Sequence, residues 1–137
     1  MARLGLSTQK DVSILNAKAS TGVDLVSGVN VSDFRNAVIS FATASSANLT
    51  VKVQGAIGTV PPTWTSAQSA SNMWDYVQII DLEDGNPIDG DTGVSCAGTD
   101  DFRLFEVNVN ALDWINVIVT ARSAGNVTVK ATLTDNA

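Results

Sequence analysis

Carboxylates are the most concentrated chemically capable side chains in this sequence. Asp81, Glu83, Asp84, Asp89 and Asp91 fall within the segment DLEDGNPIDGD, residues 81–91. As hard oxygen donors they suit Ca²⁺, but the spacing does not give an EF-hand loop, which needs ligands at positions 1, 3 and 5, a Gly at 6 and a Glu at 12. Asp-Gly and Gly-Asp pairs are also ordinary turn formers, and the segment reads first as turns. Histidine is absent and Cys96 is the single cysteine. The usual nucleophile–base pairs, His-ligated metal sites, Cys-cluster zinc sites and disulfide frameworks are thereby removed. No catalytic residue, metal site or cofactor is expected, and the chain does not read as an enzyme.

Trp64, Trp74, Tyr76, Phe102, Phe105 and Trp114 could form a carbohydrate-binding platform. Phe105 and Trp114 sit inside strand patterns and are expected in the core, while Trp74 and Tyr76, two apart, share a strand face. Trp64 follows Pro61-Pro62 in the stretch Gly58 to Asn72, where paired prolines forbid a central strand. An aromatic on a proline-stiffened loop suits a protein contact, and a Trp folded back as a core lid suits the same sequence.

The elements that must position these residues are strands. Val127, Val129, Ala131 and Leu133 alternate with Thr128, Lys130 and Thr132, and Leu49, Val51 and Val53 alternate with Thr50, Lys52 and Gln54. Further strands are predicted over 12–17, 23–26, 35–43, 76–82, 103–109 and 114–121, with one short helical turn competing over 65–73. Residues 45–48, 84–87 and 123–126 read as hairpin loops. The expected fold is all-β, an antiparallel β-sandwich, jelly-roll or immunoglobulin-like, of about eight strands. Residues 1–10 read as a flexible N-terminal arm and 11–137 as a single sandwich domain.

The sequence also echoes itself. Val29 to Asn36 matches Val109 to Asn116 at an offset of 80, and Ser45 to Lys52 matches Ser123 to Lys130 at an offset of 78. Two related hairpins would produce this, and so would convergence on the few residue types that satisfy a strand–turn pattern.

Formal charge is −6, unevenly spread. Residues 1–52 carry five bases and three acids, whereas 53–102 carry eight acids and no base. Such a surface repels phosphate backbones, so no nucleic-acid partner is expected. The opening MARLGLSTQK lacks an apolar run of signal-peptide length, and no stretch approaches the roughly 18 apolar residues of a membrane span. Synthesis in a cytoplasm and no membrane partner are the expectations.

Three segments together resemble small β proteins encoded by tailed bacteriophages: Asn72 to Gly85 (NMWDYVQIIDLEDG), Ile88 to Val94 (IDGDTGV), and Gly98 to Asn110 continuing into Trp114-Ile-Asn. The resemblance spans roughly residues 22 to 131. It implies a virion structural protein, foremost a capsid decoration or cement protein that binds the major capsid protein or another virion protein. Tail-associated and receptor- or glycan-binding domains share the same composition. A homo-oligomer, trimer first, is expected, with contacts from Arg3, Leu4 and Leu6 of the arm and from Pro61, Pro62 and Trp64 of the long loop.

Overall fold

The computed structural model describes residues 9–135. Among them every regular element is a strand: β1 (Gln9–Lys18), β2 (Val29–Asn30), β3 (Asn36–Ala56), β4 (Trp74–Tyr76), β5 (Ile79–Asp81), β6 (Pro87–Ile88), β7 (Val94–Thr99), β8 (Phe102–Asn108) and β9 (Trp114–Thr134). All pairings are antiparallel, in the order β1-β9-β3-β8-β5-β6, with β2 added to β9 and both β4 and β7 added to β3.

The all-β expectation holds, with one change in kind. The two strands predicted over 35–43 and 49–53 are a single 21-residue β3, and those over 114–121 and 126–133 are a single 21-residue β9. Residues 45–48 and 123–126 are therefore not hairpin loops. They lie inside the long strands, where Ser45 (φ 63°), Ser46 (φ 52°) and Gly125 (φ 72°) take left-handed backbone and the β3–β9 register shifts. Turn-forming residues here bend two strands at once without ending either. The result is one hydrogen-bonded sheet that bends through β3 and β9, where a sandwich would have had two. Inward residues from both sides of the bend, Ile39 and Phe41 on one and Leu49, Val51 and Val53 on the other, belong to one hydrophobic cluster.

The internal echo is a true structural repeat with a constant shift of 78. Asn30 pairs with Trp114 as Asn108 pairs with Asn36, and Lys18 pairs with Val127 as Cys96 pairs with Leu49. The connecting loops obey the same shift: Val31 N–H donates to Asp113 O at 2.8 Å and Val109 N–H to Arg35 O at 3.3 Å. The two halves, each a strand, a return strand and a long bent strand, are thus related by a pseudo-two-fold axis. Gly125 and its equivalent Ala47 meet at the bend, where a Cβ on Gly125 would lie 2.4 Å from Ala47 Cα. The sequence offset of 80 over 29–36 was a two-residue slip, which a period-two pattern tolerates because it leaves every side chain on its own face.

Residues 57–93 are inserted between the halves and carry β4, β5 and β6. The strand predicted over 23–26 is absent. That segment's one backbone bridge to the sheet, Gly22–Val119, lies just before it. The strand predicted over 76–82 is split into β4 and β5, and residues 65–73 hold turns and a Ser69–Asn72 bridge without a helix. β1 begins at Gln9, so the last two residues assigned to the arm are strand.

Candidate functional site

The acidic segment is turn chemistry. Asp81 Oδ1 accepts the Glu83 N–H at 3.0 Å, Asp84 Oδ1 the Asn86 N–H at 2.9 Å and Asp89 Oδ1 the Asp91 N–H at 2.8 Å. Each carboxylate satisfies a backbone donor two residues ahead and so fixes its own turn. Among the described residues no three His, Cys, Asp or Glu side chains converge as a metal-binding group. Asp81 is the buried member, 7% exposed, and its Oδ2 is ion-paired with Arg103. The Glu83 N–H, then the Arg103 guanidinium, hold its carboxyl below the ordinary range against the opposing effect of burial. Cys96 is buried on β7, and desolvation raises its thiol pKa, away from a reactive thiolate.

Trp64 is not a surface contact residue. It is 1% exposed, closed over the outer face of the second half of the sheet, and a Cβ on Gly28 would lie 2.9 Å from its Nε1. Gln54 and Asn116, cross-strand partners on β3 and β9, are both fully buried under this cover. Gln54 Nε2 donates to Trp64 O at 2.9 Å and Asn116 Nδ2 to Leu25 O at 2.8 Å. Two neighbouring polar side chains thereby pin two loops onto one sheet face, which removes that face from solvent. Pro61 and Pro62 are half-buried and flank a shallow depression with Val23 and Val26. Arg3, Leu4 and Leu6 lie outside the described residues.

The aromatic residues do not form one platform. Phe105 is in the core beside Phe41, ring centroids 4.8 Å apart, and Trp114 is half-buried with its Nε1 donating to Gly58 O at 2.9 Å. Trp74 and Tyr76 share a face as expected, edge to face at 5.0 Å, and Lys52 lies over the Tyr76 ring. Burial, then the Asp91 charge, raises the Tyr76 hydroxyl pKa, so the ring stays neutral. Phe102 stands exposed with Leu82 and Leu104 on the outer side of β8 and β5.

What the structure does assemble is an apolar groove of about 520 Å³ where the insertion meets the end of β3. Ile57, Met73, Trp74, Val77 and Leu112 line it, with Gly55 at its base. A Cβ at 55 would approach Val77 Cγ1 to 2.8 Å and Leu112 Cδ1 to 2.9 Å, so any larger residue here would have to displace these side chains. Ile57 and Met73 remain 59% and 60% exposed on its rim. None of these aliphatic residues was expected at a site, although Ile57 and Met73 border the Gly58–Asn72 stretch as apolar residues with no strand to bury them. Such an open apolar surface is suited to adhesion.

No protein-family model matches the sequence, and no curated protein matches it. Among solved structures the fold is similar to that of the SPBc2 prophage-derived protein YomS, with a TM-score of 0.66 at 11% sequence identity. The match covers 98% of this chain and 99% of that one, so the whole bent-sheet architecture, insertion included, has a counterpart.

Proposed function

We propose that this chain is a structural protein of a phage particle, made in the host cytoplasm and carried in the virion, where it decorates and cements the head lattice by binding the major capsid protein. The observation that carries this reading is the whole-length fold similarity to a prophage-derived protein. It is supported by the phage-like sequence segments and by an exposed apolar groove. The reading involves no catalytic step and no nucleic-acid or membrane partner. A cement protein binds the assembled shell and stabilises it by mass action, in proportion to how far its concentration exceeds its dissociation constant. Many modest interfaces then act together.

A tail-associated, receptor- or glycan-binding role is the second reading. Its support is the Trp74–Tyr76 ring pair next to a polar cleft lined by Asp75, Gln78, Asp89 and Asp91, a combination of aromatic faces and carboxylates that suits sugar hydroxyls. Quantitative mass spectrometry of purified virions, with thermal DNA release from particles lacking the gene, tests the two. High copy number and DNA loss at lower temperature are expected. Low copy number, or intact shells that fail to adsorb, would transfer the protein to the tail.

A further inference from the structure

We propose that the outer face of the first half of the sheet, over β3, β8 and β5, binds the same face of a second copy of this chain, making a two-fold dimer by sheet-on-sheet packing. The repeat points to this face. In the second half the equivalent surface is covered by the chain itself, where Asn116 holds Leu25 O and Ile118 lies in the same recess as Trp64. Under the shift of 78 the counterparts of Asn116 and Ile118 are Val38 and Ser40, both only half-buried. Beside them Leu82, Phe102 and Leu104 are 46%, 63% and 41% exposed.

The ladder registers lay this face out. Ser40 stands between Lys130 of β9 and Leu104 of β8, Val38 between Thr132 and Glu106, and Ala42 between Thr128 and Phe102. Leu82 extends the Ser40 row, its N–H donating to Leu104 O at 3.1 Å. A strip of short side chains on β3 therefore runs beside a bulky apolar edge.

The face complements itself, which selects a second copy as its partner. Lys130 and Glu106 lie on opposite sides of β3, and neither is ion-paired among the described residues. Strands lie about 4.8 Å apart and same-face neighbours on one strand about 7 Å apart. On that spacing, consider a two-fold axis lying in the interface, crossing β3 between Val38 and Ser40 at right angles to the line joining the two charges. It sets each Lys130 opposite the copy's Glu106. The same rotation lays each Leu82 over the copy's Ala42 and brings the two Phe102 rings side by side. Asp11, farther out on β1, falls opposite Asn36 and meets no like charge. Bulky side chains thus meet short ones while both free charges are paired.

The inference goes beyond the virion reading and is tested without particles, by sedimentation equilibrium of the purified full-length chain. The Lys130→Glu and Glu106→Lys chains each bring like charges together twice per dimer. Both are expected to self-associate about tenfold more weakly than wild type, although they move the net charge in opposite directions. Mixed in equal amounts, they are expected to recover association as a heterodimer, and the Lys130→Glu/Glu106→Lys chain is expected to recover it alone. Phe102→Asp, shown folded by circular dichroism, is expected to abolish it. A wild-type chain that stays monomeric at about 100 µM would overturn the proposal. So would single reversals that leave association unchanged, a loss without recovery on mixing, or a dimer broken by Met73→Asp and not by Phe102→Asp. A monomeric wild type whose Phe102→Asp variant no longer binds particles would also overturn it, giving this face to a virion partner and leaving the virion reading standing.

Discussion

The two halves of the repeat differ most at the far ends of their long strands. In one, the end of β9 is paired along its whole outer side by β1, from Gln9 opposite Thr134 to Lys18 opposite Val127. In the other, β7 pairs β3 only over 47–51, and the three residues Gln54, Gly55 and Ala56 are left to β4 of the insertion. The loop residue packed beside each end differs accordingly. Phe34 and its equivalent Leu112 both pack against the core, but Leu112 also lines the groove. A duplicated frame is thus closed in one half and open in the other, and the opening is where an apolar surface reaches solvent. Insertion into one copy of a symmetric unit is a direct way to make a one-sided binding surface without disturbing the core.

The strongest way to break this comparison is at the axis. Gly125→Val forces a side chain against the Ala47 backbone at a left-handed φ, and a loss of about 4 kcal/mol or outright failure to fold is expected. Gly98→Ala, at a similar φ of 71° but with open space around it, should cost only about 1 kcal/mol. Urea unfolding of the two variants is the measurement, and equal stabilities would mean that the halves do not meet tightly at the bend.

Next in size is the cover that only one half carries. Trp64→Ala should destabilise by about 3–4 kcal/mol, as removal of a buried indole does. A change under about 1 kcal/mol in thermal or urea unfolding would return Trp64 to the surface role its loop position suggested.

Asn116 stands where the other half has Val38, and it holds Leu25 O. Asn116→Val should cost about 1–3 kcal/mol, because that carbonyl loses its buried donor. An unchanged midpoint would show that the 22–28 segment is held by packing alone.

The smallest expected effect lies in the insertion. Asp81→Asn should cost about 1–2 kcal/mol at neutral pH by weakening the Arg103 pair and the turn at Glu83. The sign of its pH dependence follows from a folded-state carboxyl held below its unfolded value. The contribution is complete above the ordinary carboxylate pKa of about 4 and is lost as pH falls through the depressed folded value. Wild-type and variant stabilities should therefore converge in acid, and a gap that stays constant from neutral pH to pH 2 or so would assign the loss to something other than this ionisation.

Much of the frame was legible locally. Alternation at 49–54 and 127–133 put the correct side chains inward, and the echo at an offset of 78 over Ser45 to Lys52 marked the pseudo-symmetry. Alternation fails at Gln54-Gly-Ala56 and Ile115-Asn-Val-Ile-Val119, where successive residues are all buried. A strand covered on both faces loses its period-two signal, and these runs were the available sign that something lay over this end of the sheet. The groove was not legible, because Ile57 and Met73, at opposite ends of one long loop, meet Leu112 from another.

The sequence by itself determined the all-β class, the inward faces of the long strands and the turns of the acidic segment, since each depends on residues adjacent in the chain and on the period of a strand. Tertiary structure decided that Ser45-Ser46 and Gly125 bend strands without ending them, that Trp64 is a lid, and that one end of a duplicated frame is left open. Those outcomes depend on what pairs with or covers a segment from elsewhere in the chain, as Gln54 with Asn116 or Ala47 with Gly125, and no local pattern of propensities carries that information.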